Sequence, residues 1–137
     1  MANKTAKDEL RALRRGEVEL AALARQITRL RKQAALLQAA APAPDSLSGR
    51  AGTATLARLC SLQARYADQL AALVRQREDA ARRILRLERS EWRALLVLYY
   101  LEGRAWDDVA AAMNYSQRQL QLQRLHHDAL AALDAAG

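Results

Sequence analysis

The sequence predicts an all-α protein: a long antiparallel helical hairpin of coiled-coil type, followed by a module of three shorter helices. Three observations carry that expectation. Ala, Leu, Arg, Gln and Glu dominate the 137 residues, against five glycines, two prolines and no phenylalanine; good helix formers with few breakers make a helical composition. Apolar residues recur at 3-4 spacing over two long stretches. After residue 89 the pattern changes to short apolar segments separated by turn residues.

The first seam runs through Leu13, Gly16, Leu20, Leu23, Ile27, Leu30, Ala34 and Leu37. Gly16 weakens it by about 1 kcal/mol of helix propensity relative to Ala. Pro42 and Pro44 end it by Ala41, since proline lacks the donor and biases its predecessor to extended geometry. Residues 42–53 read as the linker. A second seam lies at Leu56, Leu59, Gln63, Tyr66, Leu70, Leu73, Arg77, Ala80, Ile84 and Leu87, with Gln63 and Arg77 as polar interruptions. Two helices of about 50 Å joined by about a dozen residues fold back as an antiparallel hairpin or pair in a parallel dimer. Leu62, Val74 and Leu85 offer a further stripe for a homodimer. The expected division is an arm, residues 1–89, and a terminal domain, residues 90–137.

In the terminal domain, Ser90 is the expected N-cap of a helix over 91–102, with Glu91 favourable at its positive end and Gly103 as its stop. Residues 106–113 read as a second helix with Asp107 and Asp108 in its first turn. Asn114-Tyr115 makes a tight turn, and Ser116 caps a third helix running from Gln117 to about Ala135. A bihelical unit of this kind needs a small residue where its helices cross, a residue tolerant of positive φ in the turn, and an apolar residue inside the second helix. Ala110, Asn114 and Leu120 supply these at separations of four and six, with Val109, Met113 and Tyr115 as inward contacts. The layout is that of a helix-turn-helix.

Residues 91–126 resemble region 4 of sigma-70-type transcription factors and, more closely, a family of small phage proteins that join a coiled-coil part to a sigma-region-4-like module. The resemblance is carried by Leu98-Tyr99-Tyr100-Leu101-Glu102-Gly103, Trp106, Val109-Ala110, Met113, Tyr115-Ser116, Arg118 and Arg124-Leu125-His126. It implies a DNA-binding transcriptional regulator of phage or prophage origin, acting with host RNA polymerase in the bacterial cytoplasm. Two departures stand out. Asn114 replaces a glycine, and the run 119–123 is two residues too long before Arg-Leu-His. Two extra residues in a continuous helix rotate all later side chains by about 200°. Either Arg124 and His126 lose their family orientation or a bulge absorbs the insertion; the inner stripe would then restart at Leu122, Leu125, Ala129 and Leu133.

In such a module the first turns of the last helix enter the major groove of double-stranded DNA. Gln117, Arg118 and Gln121 are the candidates for base edges, Arg suiting guanine and Gln adenine. Ser116 is placed to meet a phosphate at the helix N-terminus, and Arg104 and Tyr115 to contact the backbone. Arg124 is a weaker candidate, because it lies beyond the insertion.

Composition narrows the alternatives. The formal charge is +7, from 22 basic and 15 acidic residues. Residues 1–41 hold nine basic and four acidic groups, residues 54–89 eight and four, and residues 90–137 four and six. The arm is therefore basic and the expected reading module slightly acidic. One cysteine, Cys60, precludes an intramolecular disulfide and reads as a small apolar filler. His126 and His127 are adjacent and diverge, so no metal site is expected. Trp92, Tyr99, Tyr100 and Trp106 read as core. No stretch of about 18 apolar residues suggests a membrane span, and the polar start suggests no secretory signal. No nucleophile elbow, phosphate loop or carboxylate/His metal set suggests an enzyme or a cofactor, and the Asp107-Asp108 pair suits the positive end of a helix. The second functional reading is a protein-interaction adaptor, polymerase-binding or a DNA-packaging recognition subunit, that works through the arm.

Overall fold

The computed structural model describes residues 5–40 and 47–136, and among these it has five α-helices and one π-helical turn. Helix α1 spans Ala6–Ala40. It starts a full turn and more before the Leu13 seam because Thr5 and Asp8 cap it reciprocally. The Asp8 amide donates to Thr5 Oγ1 at 3.2 Å and the Thr5 amide to Asp8 Oδ2 at 3.4 Å, satisfying donors that a helix start leaves open. These bonds to Thr5 hold the Asp8 carboxyl below its ordinary range. Residues 41–46, which include both prolines, lie outside the described residues.

Helix α2 spans Leu47–Leu85, so residues 47–53 are helical and not part of a loop. The glycine- and threonine-rich composition that suggested a loop is overridden by packing: Gly52 is buried against Leu37. The Thr53 and Thr55 hydroxyls bond back to the carbonyls of Gly49 and Ala51 at 3.1 and 2.8 Å, which satisfies them inside the helix. Burial of a helix face outweighs weak intrinsic propensity.

The chain divides into two compact units, one formed by Val18–Ala72 and the other by Met1–Glu17 with Leu73–Gly137. In the first unit α1 and α2 form an antiparallel hairpin. Leu23, Ile27 and Leu59 are buried together, with Leu30, Leu62 and Tyr66 packed against them, while Leu37 meets Gly52. Higher numbers on α1 thus meet lower numbers on α2. Leu62 belongs to this core and not to a free stripe; Val74 and Leu85 are exposed. Cys60 is also exposed: it is next in sequence to the seam residue Leu59, and one step of 100° carries it off the packed face.

The second unit is built on a single core that draws on every helix. Ala6 and Leu10 of α1, Ile84 of α2 and Leu87 beyond it pack with Leu95, Leu96, Tyr100, Val109, Ala110, Leu122, Leu125, Ala129, Leu130 and Leu133. Gly16 has a packing role here. A Cβ at that position would stand 3.2 Å from Leu73 Cδ1, so its absence lets α2 approach α1. Helix α3 spans Ser90–Leu96 and continues as a π-helical turn, Val97–Leu101. Ser90 is its first residue and not its cap. Arg89, extended at φ −91° and ψ 127°, occupies the N-cap without a side-chain bond, and its carbonyl accepts from Arg93 N at 3.2 Å. The expected single helix over 91–102 is therefore two kinds of turn in series. Gly103 stops it at φ +67°, the left-handed geometry glycine adopts without steric cost. Helix α4 spans Trp106–Ala112 and α5 spans Gln119–Ala136.

One polar interruption of the second seam, Arg77, is used at the π turn. Arg77 Nη2 donates to Leu101 O at 2.9 Å and its Nε lies 3.4 Å from Glu17 Oε1. Arg14 Nη1 donates to Tyr99 O at 2.6 Å and to Arg104 O at 3.1 Å, and its guanidinium sits 4.1 Å from the centroid of the Tyr99 ring. Two arginines from the hairpin helices thus cap carbonyls that the helix end leaves open.

Candidate nucleic-acid interface

The segment from α4 through α5 holds most of the residues singled out from the sequence. Helix α4 ends in two backbone bonds around a left-handed residue: Tyr115 N donates to Ala110 O at 2.7 Å and Asn114 N to Ala111 O at 3.3 Å, with Asn114 at φ 63°. This is a Schellman closure with asparagine in the position glycine most often takes. Val109 and Ala110 are fully buried and Met113 partly so, as expected of inward contacts.

Beyond this turn the structure corrects the reading. Arg118 N donates to Tyr115 O at 2.9 Å, forming a second turn through Ser116 and Gln117. Helix α5 then starts at Gln119, with the Arg118 carbonyl accepting its first bond from Leu122 N at 3.0 Å. Ser116 is therefore not the cap, and Gln117 and Arg118 precede the helix. The start is fixed partly by Gln119, whose Oε1 accepts from the Trp106 indole at 3.1 Å. The helix begins two residues later than expected and is continuous from Gln119 to Ala136.

Leu120 consequently does not face inward. It is 72% exposed, and Leu122, fully buried, takes the inner position. Leu125, Ala129 and Leu133 continue the same face, all buried. His126 falls where this register puts it, beside the first helix of the module. Its Nε2 lies 2.7 Å from the Tyr100 hydroxyl, and its ring joins Tyr99, Tyr100 and Trp106 in an aromatic cluster with centroid separations of 4.9 to 5.8 Å. Burial raises the Tyr100 hydroxyl to about 12 and lowers His126 to about 4, so both are neutral near pH 7 and share one hydrogen bond. The sequence alone leaves the orientation of His126 open. Trp92 completes the core with its Nε1 buried and unpartnered, and Arg89 stands 5.3 Å from the centroid of its ring.

On the opposite side, Ser116, Gln117, Arg118, Gln119, Leu120, Gln121 and Arg124 line one shallow, open hollow. Five of the seven residues proposed from sequence to contact DNA are thereby brought together. Tyr115 and Arg104 are not among them. Tyr115 donates its hydroxyl to Glu91 Oε2 at 3.3 Å and lies under Arg118, whose guanidinium is 5.9 Å from the ring centroid. Arg104 pairs with Glu102 at 3.1 Å. The hollow sits at the start of α5, where free backbone N–H groups and the helix dipole favour anions, and no acidic residue occurs from 109 to 127. It presents two guanidinium groups, three carboxamides, a hydroxyl and one apolar side chain, a set able to bond phosphate oxygens and base edges but without a nucleophile–base pair.

Among the described residues no group of three or more His, Cys, Asp or Glu could hold a metal, and no helix is long and apolar enough to cross a membrane. Comparison with models of known families, with curated proteins and with solved structures returns no match.

Proposed function

We propose that the chain is a sequence-specific DNA-binding transcriptional regulator, of phage or prophage origin, in which α4 and α5 act as a helix-turn-helix and α5 reads the major groove. The observation that carries this reading is the hollow lined by Ser116, Gln117, Arg118, Leu120, Gln121 and Arg124. It is acid-free, exposed and held on a helix whose inner face is locked into the core. The later start of α5 changes the assignment of roles. Gln121 and Arg124, one turn apart near the start of the helix, are the base readers. Ser116, Gln117 and Arg118, in the preceding turn, meet phosphates. RNA polymerase is the proposed protein partner, as the sigma-region-4-like motif implies.

Selection of binding sites from a random duplex library tests this. The wild type enriches a defined sequence. Arg124→Ala relaxes it at one or two positions, at about 1–3 kcal/mol of discrimination, whereas Arg118→Ala weakens all sites alike. Failure of the wild type to enrich any sequence overturns the proposal. The exposed Leu120 in the middle of the hollow favours the adaptor as a second reading, because an unpaired leucine there suits a protein contact as well as a thymine methyl.

A further inference from the structure

The hairpin unit Val18–Ala72 carries seven of the 22 cations, and their arrangement is unusual for a helical hairpin. The unit holds seven cations, Arg25, Arg29, Arg31, Lys32, Arg50, Arg58 and Arg65, and three acids, Glu19, Asp45 and Asp68. All seven are exposed. Among the described residues none of them forms an ion pair or a side-chain hydrogen bond. Coiled-coil helices are ordinarily matched by opposite charges beside the seam. Here both helices carry the same sign, and Arg25 and Arg29 are like charges at i, i+4, which repel. No ion pair among the described residues of the unit offsets that repulsion.

We infer that this hairpin is a second, sequence-independent DNA-binding element, whose arginines engage the phosphate backbone of duplex DNA. The inference shares with the proposed function only the choice of DNA as partner. Three features favour a nucleic-acid duplex. Six of the seven cations are arginine, whose planar fork matches phosphate oxygens. The cations lie on several sides of two helices, which suits a long polyanion better than a single acidic pocket. Arg25 to Lys32, and likewise Arg58 to Arg65, rise about 10 Å along their helices, a length over which B-DNA presents about six phosphates. An anionic membrane surface would require a continuous unburied apolar helix face; Leu23, Ile27 and Leu59 are spent on the hairpin core, and the exposed Val18, Leu36, Leu47, Leu56 and Leu70 stand nine or more residues apart along their helices. A protein interface is depleted of charge at its centre, whereas exposed cations are what this unit has in excess.

The test uses the full chain, a random-sequence duplex of about 20 base pairs and fluorescence anisotropy between 50 and 200 mM salt. The variants are Arg25→Gln/Arg29→Gln/Lys32→Gln and Arg58→Gln/Arg65→Gln, with helicity checked by circular dichroism; glutamine keeps helix propensity at exposed positions. Loss of three phosphate contacts is expected to flatten the slope of log affinity against log salt by about 2.7, so that the fourfold rise in salt weakens the triple variant about 40-fold less than the wild type. The double variant flattens it by about 1.8 and Arg118→Ala by at most about 0.9. Unchanged slopes in both hairpin variants overturn the inference, and so does a wild type without affinity for the duplex at 50 mM salt, including the case where it instead retains an acidic protein after nuclease treatment. Flattened slopes without sequence enrichment leave the inference standing and remove the proposed function; enrichment with unchanged slopes does the reverse.

Discussion

Truncation of two leucines two residues apart tests the placement of α5, on which the assignment of base readers depends. Leu122 is fully buried and Leu120 is 72% exposed. Leu→Ala in a core loses both the transfer energy of the side chain and the contacts around the cavity left behind, about 2–5 kcal/mol in sum. Leu122 belongs to the buried cluster that holds Leu95, Leu96 and Leu125, so a mid-range loss of about 3 kcal/mol is expected. For a chain of this size each kcal/mol lowers the melting temperature by roughly 3–4 °C, hence about 10 °C in all. Leu120→Ala removes a side chain already in water, and alanine gains a few tenths of a kcal/mol of helix propensity, so stability should stay within about 0.5 kcal/mol of the wild type. Urea denaturation measures both variants. Leu122→Ala should shift the midpoint without changing the m-value, and Leu120→Ala should leave the midpoint in place. If Leu120→Ala costs as much as Leu122→Ala, or more, then α5 begins at Gln117 and the base-reading assignment falls with it.

Local geometry sets two further outcomes. Asn114 holds φ 63°: Asn114→Gly should be neutral or slightly stabilising and Asn114→Ala should cost about 1 kcal/mol, read as the difference in thermal midpoint between the two variants. His126 is lowered from 6.5 to about 4 by burial, with Lys7 and Arg11 adding to the effect. Protonation therefore favours the unfolded chain. The stability this confers is complete above about pH 6.5 and is lost as the pH falls toward 4. The gap sets a ceiling of about 3 kcal/mol, and screening at a partly exposed ring reduces the expected loss to about 1–2 kcal/mol. Urea midpoints of the wild type and His126→Gln should converge between about pH 7 and pH 4, and a constant separation would refute the buried neutral imidazole.

What the sequence made legible was periodicity. The seam through Leu13, Leu20, Leu23, Ile27 and Ala34 is buried as its spacing requires, and Asn114 and Gly103 both take the left-handed geometry their residue types suit. The failures have separate physical causes. Leu120 falls at the spacing a helix-turn-helix gives to an inner residue, but α5 starts only at Gln119, whose side chain accepts from Trp106, and Leu122 takes the inner position. Residues 47–53 looked like a loop because propensity is local, while the contact of Gly52 with Leu37 is not. Leu10, Ile84 and Leu87 continue the hairpin's spacing yet pack with residues of α3 to α5, a long-range contact that spacing does not carry. The Thr5–Asp8 cap was readable in the sequence as a polar pair three residues apart, and it shows why α1 begins where it does.

The net charge acquires a different meaning once its arginines are separated by what they touch. Arg14, Arg77 and Arg93 donate to carbonyls at helix ends, and Arg83 pairs with Glu9; these charges serve the fold of the unit that contains α3 to α5. The hairpin cations have no such partners among the described residues. The two sets should therefore dissociate under mutation. Arg14→Ala removes two charge-assisted bonds and the stacking on Tyr99, together about 1–3 kcal/mol at a partly buried site. It should lower the melting temperature while leaving the salt slope for random duplex within one contact of the wild type. The hairpin triple variant should do the opposite, flattening the slope with little change in stability, because it removes like-charge repulsion and no bond. Were Arg14→Ala to flatten the salt slope as far as the triple variant does, the division between structural and phosphate-binding arginines would be wrong, and the basic charge would act as one diffuse field over the whole chain.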